Sequence, residues 1–191
     1  MALFYKGVGV GTFLHPTDLR VSGISPRAPG TLYDINAAMQ HIARATTNSP
    51  CISLTKSYGV AEMYARDASR AFPTAATPAY VYHIVINDPP PAGVEVRDPV
   101  AEVARINSNP LISPSYNHDG DMNFLLGVVN PTAMAVHLTA PIRQPPGSTG
   151  TSRAANLSIE LETFVRALRD AEVLVVGTIP AACVINRDGV Y

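Results

Sequence analysis

The sequence carries little charge and no excess of either sign: 15% of its 191 residues are charged, with 14 Lys and Arg against 15 Asp and Glu, a net charge of −1. No global field of the kind that draws proteins to phosphate backbones or acidic membranes is expected. Cysteine is nearly absent. Cys51 and Cys183 stand far apart, with no CxxC or Cys/His cluster, so neither a disulfide scaffold nor a structural zinc site can be read from their spacing. Two buried thiols packing as small hydrophobes are expected instead. No run reaches the ~18 apolar residues of a membrane helix. The opening residues, Met1 to Lys6, lack a basic start followed by an apolar stretch, so no signal peptide is expected in this chain.

Several sites are missing as well. Gly7, Gly9 and Gly11 suggest a dinucleotide fingerprint, but the third glycine of GxGxxG falls on Thr12, which leaves a turn as the simpler reading. Asp119-Gly120-Asp121 opens like a calcium loop, yet Phe124 and Asn130 occupy the positions that need glycine and a bidentate glutamate. There is no P-loop and no GxSxG elbow, which removes two large enzyme classes.

What is present is a core. With 47% hydrophobic residues, the chain has the composition of one compact domain of ordinary size, and its 17 prolines predict many loops. Strands are expected at residues 2–5, 51–54, 79–86, 172–176 and 184–185. Ile35, Met39 and Ile42 predict a helix over 34–45 capped by Asp34, and Val60, Met63 and Tyr64 predict another over 56–71. A helix ending near Arg169 follows from Leu161, Phe164, Val165 and Leu168, with Ser158 as its cap. Weaker patterns suggest helices at 100–106 and 122–129, a strand at 133–138 and a loop over 141–151. Without regular βα alternation, the expected class is α+β.

Three separated pieces bear chemistry. Lys6 puts a cation at the end of the first strand, Ser53 and Thr55 put two hydroxyls on a middle strand, and Asp170 and Glu172 put two carboxylates at a late one. Residues i and i+2 of a strand share a face, so each pair can point into one cleft. Taken singly, these are more often a solvated strand end, edge hydroxyls and a polar helix-to-strand junction than a site. His83 reads as a satisfied core or edge histidine, His118 with Asp119 as a solvated loop pair, and Tyr58 and Tyr64 as packing residues, with Tyr58 a minor candidate for the site.

In order along the chain, these pieces resemble the mono-ADP-ribosyltransferase toxins of the cholera toxin and heat-labile enterotoxin type. FYKGVG stands where that family has LYRADS, and Ser22 to Arg27 is similar to its SGGLMPRG. Residues 31–36 are similar to its NLYDHA, residues 51–55 to YVSTS, and residues 80–89 to YYIYVIATAP. Residues 170–180, DAEVLVVGTIP, resemble EQEVSALGGIP, with glutamate, glycine and Ile-Pro at the same spacing. About two thirds of the chain is covered, with 99–158 left as an unmatched insertion in a single domain.

The resemblance implies an ADP-ribosyltransferase-like fold of two small, mostly antiparallel sheets around an NAD cleft. It implies transfer of ADP-ribose from NAD to a macromolecular acceptor without a metal, and the near-neutral charge favours protein over nucleic acid as that acceptor. Glu172, Asp170 and Ser53 would be catalytic, and Lys6, Gly7, Arg27, Ser53, Thr55 and Tyr58 would bind NAD. Two positions depart from the family: Lys6 replaces its arginine, and Asp170 stands where arginine-modifying members carry glutamate. Lysine offers a point charge where arginine offers a planar fork. The alternatives are an NAD glycohydrolase and a non-catalytic nucleotide- or partner-binding module. A toxin of this type is expected to be secreted or delivered, to act in a target-cell cytosol without inserting in the membrane, and to have a neutralising immunity partner.

Overall fold

The computed structural model describes residues 1–107 and 159–191. The expectations placed on 122–129, 133–138, 141–151, His118, the 119–130 loop and the Ser158 cap lie outside the described residues.

The described chain is α+β, with one open six-stranded antiparallel sheet and a few helices. The strands are β1 (Ala2–Val8), β2 (Cys51–Thr55), β3 (Ala79–Ile86), β4 (Glu95–Arg97), β5 (Glu172–Val176) and β6 (Val184–Val190), in the order β4-β5-β2-β1-β3-β6. The helices are α1 (Leu19–Ser22), α2 (Ile35–Ala43), α3 (Tyr58–Asp67), α4 (Pro99–Asn107) and α5 (Ile159–Arg169). No helix among the described residues is long and apolar enough to cross a membrane.

Local chemistry sets the element ends. The Asp34 carboxylate accepts from Ala37 N at 2.7 Å and Ser57 Oγ accepts from Val60 N at 3.4 Å, so polar side chains start both α2 and α3. Each such cap stabilises its helix by about 1 kcal/mol. The AYVYHIVI run forms β3 over its whole expected length, because β-branched and aromatic residues suit a pleated, half-buried surface. It pairs with β1 on one side and β6 on the other.

The sheet departs from the expectation of two small sheets. β1 and β3 pair at seven successive positions and β2 and β5 at five, whereas β1 and β2 share one pair, Tyr5 with Thr55. Two three-stranded halves, β4-β5-β2 and β1-β3-β6, are therefore one continuous sheet joined at a single point. Phe4, Val8, Ile52, Leu54, Tyr82, Ile84, Val173 and Val175 form the main core. A second cluster, with Ala61, Ala65 and Val81, seats α3 on β1 and β3, and a third, with Ala38, Ile42, Ala167 and Leu174, packs α2 and α5 against β2 and β5. Both cysteines are buried free thiols.

The glycine run is not a turn throughout, since β1 continues to Val8. A Cβ on Gly7 would lie 2.1 Å from Ala61 O, so glycine is what lets α3 rest on β1. Gly7→Ala is expected to lower stability by about 3 kcal/mol, read as a shift of the urea midpoint at unchanged slope. A midpoint equal to wild type would contradict the close packing of α3.

Candidate active site

Where the two halves of the sheet part, a cavity of about 450 Å³ opens. That is within the size range of small-molecule sites, roughly 300–1,000 Å³. β1 lines it with Tyr5, Lys6 and Gly7, β2 with Ser53 and Thr55, α2 with His41, and β5 with Glu172; Asp170, Tyr64, Arg166 and Arg27 complete its polar wall.

Strand parity shows why the split matters. Lys6 lies between Phe4 and Val8 in the alternation of β1, the side that builds the main core, while Ser53 and Glu172 share the opposite parity with Cys51 and Leu174. In a continuous ladder these groups would be on opposite faces. Because β1 and β2 diverge, Lys6 Nζ instead donates to the Ser53 carbonyl at 2.9 Å, and a side-chain ammonium meets a backbone oxygen of β2 across the gap.

Burial governs the charges. It pushes the Lys6 ammonium below its ordinary pKa, partly opposed by the Glu172 carboxylate and reinforced by Arg27. It pushes the Glu172 carboxyl up; the Ser53 hydroxyl beside it pulls down, Asp170 pushes further up, and Lys6 and Arg169 pull down. Such opposite displacements in one cleft mark a candidate site for charge-based chemistry.

Sequence reading missed His41. Its Nε2 lies 2.8 Å from Ser53 Oγ. Burial, aided by the Lys6 charge and opposed by the Thr46 backbone, holds the ring down to about pH 4. Among the described residues, no group makes a hydrogen bond of good geometry to the buried Nδ1. The direction of this bond depends on the ring tautomer: with Nε2 protonated, His41 donates to Ser53 Oγ and the hydroxyl hydrogen is left for Glu172, the arrangement in which the three form one polar relay. The available signal was a polar residue beside the buried stripe of α2, where Ala38, Met39 and Ile42 pack inward.

The remaining expected residues divide. Gly7 and Arg27 line the cavity, with the Arg27 guanidinium 4.9 Å from the Phe13 ring centroid. Thr55 Oγ1 donates to Asp170 O at 2.5 Å and accepts from Ser57 N at 3.0 Å, so this hydroxyl ties the start of α3 to the approach to β5. Asp170 lines the cavity, but its carboxylate is held by Arg169 and Tyr64. Tyr58 is not part of the lining: its ring packs edge-on to Tyr5 at 5.5 Å and to His83 at 5.9 Å. His83 is satisfied by Asp188 at 2.7 Å, as expected of a core or edge histidine, and it lies on an interior strand paired on both sides. Tyr64, read from sequence as packing, instead donates into the site.

Among the described residues, no group of three or more His, Cys, Asp or Glu is placed to hold a metal ion. Comparison of the chain with known protein families, curated proteins and solved structures gave no significant match.

The depressed His41 pKa fixes the sign of one pH effect. The folded state binds the ring proton more weakly than the unfolded chain, so this contribution is fully present above pH 6.5 and is lost as the pH falls towards 4. The raised Glu172 carboxyl acts oppositely, its contribution falling as pH rises from 4.5 through its folded value. The His41 share is therefore isolated by comparison with His41→Gln. Between pH 6.5 and 4, wild type is expected to lose about 2 kcal/mol more stability than the variant in urea titrations. Equal acid sensitivity in the two proteins would contradict a buried, neutral His41.

Proposed function

We propose that the chain is an NAD-cleaving ADP-ribosyltransferase domain. The observation that carries this reading is the convergence of Lys6, His41, Ser53 and Glu172, from three strands and one helix, on a single cavity where the sheet parts. NAD is the substrate, and the chemistry asks for these residue types. Cleavage of the bond between nicotinamide nitrogen and ribose C1′ sends the bonding pair to the nicotinamide, which leaves neutral, and builds positive charge on the ribose. A carboxylate held against that ribose in a desolvated cleft favours the oxocarbenium-like transition state over the ground state. Glu172 has that role, with its carboxylate oriented through Ser53 and His41.

The pyrophosphate of NAD needs cations. Lys6 keeps two of its three N–H groups free of the Ser53 carbonyl, and Arg27 lines the same cavity. Apolar wall residues, among them Val8, Leu14, Ile24 and Ile52, offer surface for the flat rings. The acceptor is a macromolecule, with protein the leading class. Delivery as a toxin or effector into a target cell, and neutralisation by a partner protein, belong to this reading.

One feature favours hydrolysis as the second reading. α5 ends at Arg169 and β5 begins at Glu172, so a two-residue junction leaves no loop at this edge of the cavity to grip an acceptor. Water would then take the ribose.

The assay is incubation with NAD labelled in the adenylate half, following nicotinamide release and label incorporation separately. Glu172→Gln is expected to lower nicotinamide release by at least about a hundredfold, the scale of a lost transition-state charge contact, while the melting temperature changes by only a few degrees. Full activity in a folded Glu172→Gln protein would contradict the assignment. Release without incorporation would select the hydrolase.

A further inference from the structure

The two carboxylates at the α5–β5 junction do not have equivalent surroundings. Asp170 is 5% exposed, and both its oxygens are engaged by groups of this chain. Arg169 Nε donates to Oδ1 at 2.6 Å and Arg169 Nη2 to Oδ2 at 2.7 Å, a bidentate fork. Tyr64 Oη donates to Oδ2 at 2.6 Å, and Arg169 Nη2 donates in turn to Tyr64 Oη at 3.2 Å. The junction backbone fixes this arrangement. Ala171 adopts φ 45°, a left-handed conformation that is unfavourable for alanine; its N–H bonds Leu168 O and its carbonyl accepts from Lys56 N.

Asp170 and Glu172 are the only carboxylates among the described residues that line the cavity. In the reading above, Glu172 faces the ribose, which leaves Asp170 as the carboxylate available to receive a cationic acceptor. It already holds a guanidinium. An incoming guanidinium or ammonium must displace one attached to the adjacent residue, whose effective concentration is millimolar or higher. It must also approach a wall that carries Lys6, Arg27 and Arg166. The exposed side of the pair offers donors: the Arg169 side chain is 59% exposed, and its Nη1 has no partner among the described residues.

We propose that Arg169 and Tyr64 are specificity-determining residues that close the acceptor side of the cleft to arginine and lysine side chains. The acceptor is a neutral nucleophile, a hydroxyl, amide or water, whose neighbouring oxygen takes a hydrogen bond from Arg169. This rests on the NAD-cleaving function. In the transfer, the nucleophile X–H forms a bond to C1′ as the bond to nicotinamide breaks, and its proton passes to the Glu172 carboxylate and on to solvent.

The test uses agmatine, a small guanidinium compound, with two readouts. The first is equilibrium binding followed by protein NMR shifts, which needs no turnover. Wild type is expected to show no saturable shifts around Asp170 at millimolar agmatine. Arg169→Met, which frees the carboxylate, is expected to bind at least about tenfold more tightly, and Arg169→Met combined with Asp170→Asn is expected to lose that gain. The second readout is nicotinamide release, expected to be unchanged by agmatine in wild type and accelerated in Arg169→Met. Saturable agmatine binding at Asp170 in wild type, or its acceleration of wild-type release, would overturn the proposal, as would a folded Arg169→Met protein that gains no binding. Absence of nicotinamide release from wild type would overturn the proposed function instead, while the binding arm would still decide whether the Asp170 subsite is closed.

Discussion

The structure depends on the point where β1 and β2 stop pairing. A six-stranded sheet held by one residue pair at its centre, Tyr5 with Thr55, has two well-paired halves and a gap between them. Backbone groups lining such a gap need other partners, because a buried unpaired carbonyl costs about as much as a lost hydrogen bond. The Lys6 ammonium supplies one by donating to the Ser53 carbonyl. Gly7 follows immediately, and its missing side chain lets α3 close the back of the same strand. One residue thus bridges the gap from the front while the next allows it to be sealed from behind.

The electrostatics follow from that geometry. Burial weakens the charged forms of Lys6, His41 and Glu172 alike, so one cause moves Lys6 down, His41 down and Glu172 up. Their mutual attraction opposes the effect for Lys6 and Glu172, whereas His41, next to a cation, is driven further towards neutrality. In the proposed function, the histidine then orients, the ammonium attracts and the carboxylate responds to a positive charge developing beside it. Asp170 stands apart: its charge is matched within the chain by Arg169.

Much of the framework was legible because short-range chemistry determined it. Asp34 caps the helix it precedes, and the alternating β-branched and aromatic residues from Ala79 to Ile86 form one strand; Ser57, expected inside a helix over 56–71, instead caps one that begins at Tyr58. Lys6, Ser53, Thr55, Asp170 and Glu172 were visible as pieces because each sits at a strand or strand approach, and all five line one cavity. Other features depended on long-range packing. His41 carries no spacing signal, and its contact with Ser53 exists only because α2 lies against β2. The bond from Tyr64 to Asp170 spans 106 residues, and the short strand Glu95–Arg97 owes its place to pairing with β5 rather than to its own propensity. Tyr58, beside the site in sequence, packs against Tyr5 and His83 rather than lining the cavity, because the first turn of α3 directs it there.

The central claim, that the gap between the sheet halves is a nucleotide site, is tested most directly by titrating the isotope-labelled protein with NAD and mapping the backbone amide shifts. The account predicts saturable perturbations at Gly7, Arg27, His41, Ser53 and Glu172, strongly weakened in Lys6→Ala. Absence of saturation, or perturbations confined to residues outside this cavity, would contradict it.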